Sequence, residues 1–82
     1  MDDAARVLGE CRTREEAVKR LVISAKEWRK ELVAEGDGSG TFVLQGYQQR
    51  DQVAWRTFQR VQLERAGDVW RILIWPETDA PI

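Results

Sequence analysis

From Phe42 to Trp75 the chain reads as three strands that stay apolar on both faces at once. A strand turns alternate side chains to opposite faces, so one face needs one apolar partner layer and two faces need two. Only one segment has the periodicity of a good helix, and one helix covers one face. Val43, Phe58 and Trp75 then fall in a row on the other face, with arginines beside them. This implies a surface that meets something.

The helix is expected over residues 13–35. Thr13-Arg-Glu-Glu16 fits a capping box, in which the threonine oxygen accepts from an orphan amide and the glutamate reaches back. Glu15 and Glu16 in the first turn suit the positive end of the helix dipole. At about 100° per residue, Ala17, Leu21, Ala25, Trp28 and Leu32 form a stripe that Val18, Val22 and Val33 widen. Ile23 falls on the opposite side, among Lys19, Lys26 and Lys30. Gly36 suits a left-handed cap at the end.

Residues 36–40, Gly-Asp-Gly-Ser-Gly, break the chain before the meander at 41–75. Strands are expected at about 41–48, 52–64 and 69–75, with Pro76 stopping the ladder and 76–82 a loose tail. A turn centred on Arg50-Asp51 pairs Leu44 with Thr57, Phe42 with Gln59 and Gly46 with Trp55. A turn centred on Ala66-Gly67 pairs Leu63 with Trp70, Val61 with Ile72 and Gln59 with Ile74. Both hairpins turn the odd residues of the middle strand toward the helix, and a slip of one residue would invert that. Phe58 then lies between Val43 and Trp75. Trp28, Trp55 and Trp70 belong to the core side.

Residues 1–12 are ambiguous. Ala4, Ala5, Val7 and Leu8 are spaced for a short helix, the preferred reading; Arg6–Cys11 as a fourth strand is the alternative. The expected fold is therefore α+β, a single small domain with one long helix packed on a three-stranded antiparallel β-meander in the order α-β-β-β.

Composition excludes several function classes. With 82 residues, one cysteine and no histidine, there is no intramolecular disulfide and neither the commonest metal ligand nor the commonest general base. A core this small often needs a staple, and association is the one left, so a homodimer is expected. The lone cysteine and the acidic start Met1-Asp2-Asp3 suit a cytoplasmic protein without a secretory signal. No apolar run approaches the roughly 20 residues that span a bilayer, so no membrane partner is expected.

Three motifs bear on chemistry. Glu35-Gly-Asp37-Gly-Ser39-Gly40-Thr-Phe42 resembles the first half of an EF-hand calcium loop. The resemblance breaks at its first position, Glu35, and at its twelfth, Gly46, where a bidentate carboxylate belongs. Cys11 stands just before a helix start but has no histidine to act as its base. Glu15–Lys19 and Glu16–Arg20 are ordinary surface pairs four residues apart. No catalytic residue, cofactor or metal is expected.

Charge type separates the two halves. All lysines lie in the helical half. Residues 40–75 carry five arginines and three carboxylates, a net +2, within a chain of net −1. Aromatic residues with arginine, poor in lysine and acids, compose binding hot spots. The expected partner-binding residues are Val43, Tyr47, Arg56, Phe58, Arg60, Arg71, Leu73 and Trp75. The expected function is a small non-enzymatic protein-binding module, such as an inhibitor, adaptor or accessory subunit, bound to another protein or to itself. The alternative is a single-stranded nucleic-acid binder using the same aromatics as stacking platforms. A solvated face on which arginine stems merely cover the aromatics is the plain competing account.

Overall fold

Thr13 starts the helix as the sequence predicts. In the computed structural model, which describes residues 4–36 and 40–82, its side chain accepts from the Glu16 amide at 3.1 Å. Such a cap is worth about 1 kcal/mol. The helix α1 spans Arg14–Glu27 and buries Ala17, Leu21 and Ala25. It stops eight residues before the expected end. Arg29 takes a left-handed conformation, φ 56°. The Arg29 amide donates to the Lys26 carbonyl at 3.1 Å and the Lys30 amide to the Ala25 carbonyl at 2.8 Å. This pair of bonds is a Schellman motif with arginine where glycine is usual, which is why the end was not visible in the sequence.

The chain after it is a strand. Glu31–Ala34 forms β2, preceded by β1 at Arg6–Cys11 and followed by β3 at Thr41–Arg50, β4 at Val53–Ala66, β5 at Val69–Ile74 and β6 at Thr78–Pro81. The architecture is thus mixed α+β with the sheet dominant. One six-stranded antiparallel sheet, in the order β1-β5-β4-β3-β2 with β6 also on β4, replaces the simple three-stranded meander. The expected long helix at 13–35, the preferred helix in the N-terminal segment and the loose tail at 76–82 are all corrected. In β1, Gly9 argues against a helix, and a Cβ there would lie 2.7 Å from the Arg20 guanidinium. β1 instead pairs with the exposed edge of β5, bulging at Leu8. The four residues of β6 escape the usual reading of a strand because each of them is exposed.

Both hairpin turns sit one residue later than expected. Asp51 and Gln52 are the central pair of the first, both at positive φ (52° and 66°), the signature of a type I′ turn. Gly67, φ 62°, opens the second, with Asp68 beside it. Moving a turn centre by one residue moves every cross-strand partner by two and leaves its face unchanged. Leu44 therefore faces Gln59 rather than Thr57, and Phe42 and Gly46 face Val61 and Thr57. Leu63 faces Ile72 rather than Trp70, and Val61 faces Ile74.

The preserved parity builds the core. Phe42, Leu44, Val61, Leu63, Ile72 and Ile74 turn to the helix and pack on Ala17, Leu21 and Ala25. Leu8, Cys11, Val18, Leu32 and Trp70 seal its margin. Trp28 does not join them: it caps the helix and is 40 % exposed. The helix packs on β1, β2 and β5, and the far halves of β3 and β4 extend past it, giving extents of 47 × 27 × 22 Å. There β6 takes the edge of β4 that β5 leaves, with Ile82 donating to the Ala54 carbonyl at 3.0 Å.

Lys30 closes the core where this arm begins. Its Nζ meets Glu77 and, at 3.3 Å, Gln59 Oε1. Its stem lies across Gly46: a Cβ there would come within 3.2 Å of Lys30 Cγ and 3.0 Å of Thr57 Oγ1. Among the described residues no helix is long and apolar enough to cross a membrane. The calcium-like segment falls largely on residues 37–39, outside the described residues.

Candidate functional site: the open face of the sheet

No second layer of described structure covers the face away from the helix. Its columns follow from the register. β2 contributes Glu31 and Val33, with Glu35 just beyond its end; β3 contributes Thr41, Val43, Gln45 and Tyr47; β4 contributes Arg56, Phe58, Arg60 and Gln62; β5 contributes Arg71 and Leu73, with Trp75 next in the chain. Val33, Val43, Phe58, Leu73 and Trp75 are half-buried by their neighbours, whereas Tyr47, Arg56, Arg60 and Arg71 are exposed.

Four of the expected residues come together. Val43 pairs with Arg60, and the Trp75 amide donates to the Arg60 carbonyl at 3.0 Å, so these three form one cross-strand row. Phe58 sits one step along, between Gln45 and Thr78. It meets Val43 and Trp75 diagonally, not directly as expected, because of the two-residue register shift. Val43, Phe58, Trp75 and Pro76 wall a shallow depression of about 480 Å³, with Arg60, Glu35 and Thr78 at its rim.

The other expected residues lie to either side. Tyr47 and Arg56 are paired where the arm begins. Leu73 sits between Gln62 and Val7. Arg71 bonds Glu10 at 3.2 Å, so its charge is already met. The sequence pattern does not reveal Glu31, Val33 and Glu35, over which the expected helix continues, or Thr78, which lies in a strand with no apolar alternation. Leu32-Val33-Ala34, a short apolar run between Glu31 and Glu35 just before Gly36, is as consistent with a strand as with a helix end.

Arg56 and Arg60 differ from the remaining strand arginines. The Arg60 guanidinium stands 5.0 Å from the Trp75 ring centroid, and that of Arg56 lies 5.6 Å from Tyr47 and 6.0 Å from Phe58. Arg56 also reaches the Tyr47 hydroxyl at 3.4 Å. Yet among the described residues no carboxylate lies within ion-pair distance of either one. Arg50, by contrast, bonds Asp79 at 2.5 Å on the helix side of the sheet.

Cation–π contact orients a guanidinium over a ring and leaves its N–H groups free to bond an arriving anion or carbonyl. The face can therefore offer flat aromatic area and two directed cationic donors. No cluster of three or more metal-ligating side chains occurs among the described residues. Searches for similar proteins found no matching family model, curated protein or solved structure. The functional reading rests on the site's own chemistry.

Proposed function

We propose that this chain is a small non-enzymatic protein-binding module, such as an inhibitor, adaptor or accessory subunit, and that the open sheet face is its docking surface. The observation that carries the reading is the pairing of Arg60 with Trp75 and of Arg56 with Phe58 and Tyr47 around an apolar depression, with no carboxylate meeting either arginine among the described residues. Aromatic and arginine anchors beside a half-buried apolar centre are where binding energy concentrates. A merely solvated antiparallel face has little need of Val33, Val43, Phe58, Leu73 and Trp75 together.

The test compares wild type with Phe58→Ala and Trp75→Ala in pull-downs from the native host. The expected result is a protein retained by wild type and lost by both variants while their circular dichroism is unchanged. Once that protein is isolated, each variant should weaken its binding by about 2 kcal/mol or more, while Arg56→Ala changes mainly the association rate.

A second reading is favoured by one arrangement: two arginines with no carboxylate partner among the described residues flank Phe58 two residues away on either side, as a stacking platform for single-stranded nucleic acid would need. It requires that affinity fall with salt, with a log–log slope of about −2 for three phosphate contacts. It also requires Arg56→Ala and Arg60→Ala to matter as much as Phe58→Ala. Fluorescence anisotropy with a labelled oligonucleotide decides between the two.

A further inference from the structure

The open face carries two charged columns of opposite sign. On β2 and just past it run Glu31, Val33 and Glu35; on β4 run Arg56, Phe58 and Arg60. Acid, apolar, acid stands beside base, aromatic, base. Among the described residues, no side chain of opposite charge lies within ion-pair distance of any of these four charged groups. β3 separates the columns, with Val43 in the middle of its own column. Strands lie about 4.8 Å apart, so the two columns are about 10 Å apart and equidistant from β3.

That pattern is self-complementary. A two-fold axis laid along β3, between two face-to-face sheets, puts β2 of one copy over β4 of the other and repeats the contact on the opposite side. Glu31 is level with Phe58 in the register, so it falls between Arg56 and Arg60 of the second copy. Glu35 falls one step beyond Arg60 of the second copy, and Val43 meets its own counterpart. Sheets packed this way sit about 10 Å apart, close enough for arginine and glutamate side chains to meet. We infer that the partner on the open face is a second copy of this chain, packed sheet to sheet, with Glu31 and Glu35 of each copy neutralising Arg56 and Arg60 of the other. This deepens the docking reading of the same face and rests on it. A standard interface of roughly 800 Å² per partner is a modest share of the chain's 5930 Å².

The test is a charge swap on the full chain, read by sedimentation equilibrium at about 100 µM, near the Kd of a weak dimer. One variant carries Arg56→Glu with Arg60→Glu and another carries Glu31→Arg with Glu35→Arg. Each alone should be monomeric, its dimer Kd raised at least about 100-fold, because like charges then face each other in both contacts. An equimolar mixture should recover a dimer containing one copy of each, since every contact is again opposite in sign. That recovery also shows that both variants are folded. A wild-type monomer overturns the self-pairing, while docking of a different protein stays open to the pull-down with Trp75→Ala. A dimer that persists in both variants places the contact elsewhere and overturns it too. A monomeric wild type that binds oligo-deoxythymidine at about 150 mM salt, with binding lost on Arg56→Glu and Arg60→Glu, overturns both the self-pairing and the protein-docking reading.

Discussion

The two faces of one sheet are built from neighbouring residues and have opposite fates. Leu44, Val61, Ile72 and Ile74 turn to the helix and are at most 1 % exposed. Val43, Leu73 and Trp75, each next in the chain to one of these, and Phe58, an even residue of β4, turn to the open side and are only half-buried. The helix-side residues are fixed by packing within the chain. The open-side residues are held in place by the same strands but are not used by the core. A backbone committed to one face thus presents the other as a rigid, preorganised surface.

Truncations should separate the faces most widely. Leu44→Ala and Ile72→Ala should each cost about 2–5 kcal/mol in urea unfolding, as fully buried deletions do. Phe58→Ala should cost the monomer well under half as much, and a cost equal to that of Leu44→Ala would erase the distinction. Gly46→Val should come next. Its branched side chain must displace the Lys30 stem or Thr57, at about 1–3 kcal/mol, visible as a lower thermal midpoint. Gln45→Val, next in the chain but on the open side, should change the midpoint little.

How far the sequence reveals this arrangement depends on what each signal measures. Side-chain parity is a period-two property, so the odd residues of β4 could be assigned to the helix side despite a two-residue error in both registers. Turn centres depend on φ at single residues, and Gln52 at positive φ carries no glycine to mark it. The helix end failed for the same reason at Arg29: a left-handed residue without glycine looks like any other helical position. That failure hid β2, and with it Glu31 and Glu35 of the candidate site. Residues that strands bury were legible; residues that only extend the sheet's edges, as in β6, had no apolar pattern to read.

The turns offer a smaller test. Gln52→Gly should stabilise the chain by roughly 0.5–1 kcal/mol, because glycine carries no Cβ penalty in the left-handed region that Gln52 occupies. A loss of stability would place the turn elsewhere and shift the pairing of the whole open face. Smallest of all should be Glu10→Gln. Its bond to Arg71 is exposed, and such pairs contribute about 0–1 kcal/mol. Chemical denaturation should barely register it, in contrast to the Arg56 and Arg60 swaps, whose effect belongs to association rather than folding.

The far arm of the sheet has its own consequence. Beyond Lys30, residues 47–54 are exposed on both sides, and β3 and β6 flank β4 there without help from the helix. Hydrogen bonds of this kind open at a lower free energy than those over a core. The amides around Trp55 that bond to β6 should therefore exchange with solvent through local opening, while those around Val61 wait for global unfolding. A single fourteen-residue strand would then belong to two cooperative units, with Lys30 standing at the boundary between them.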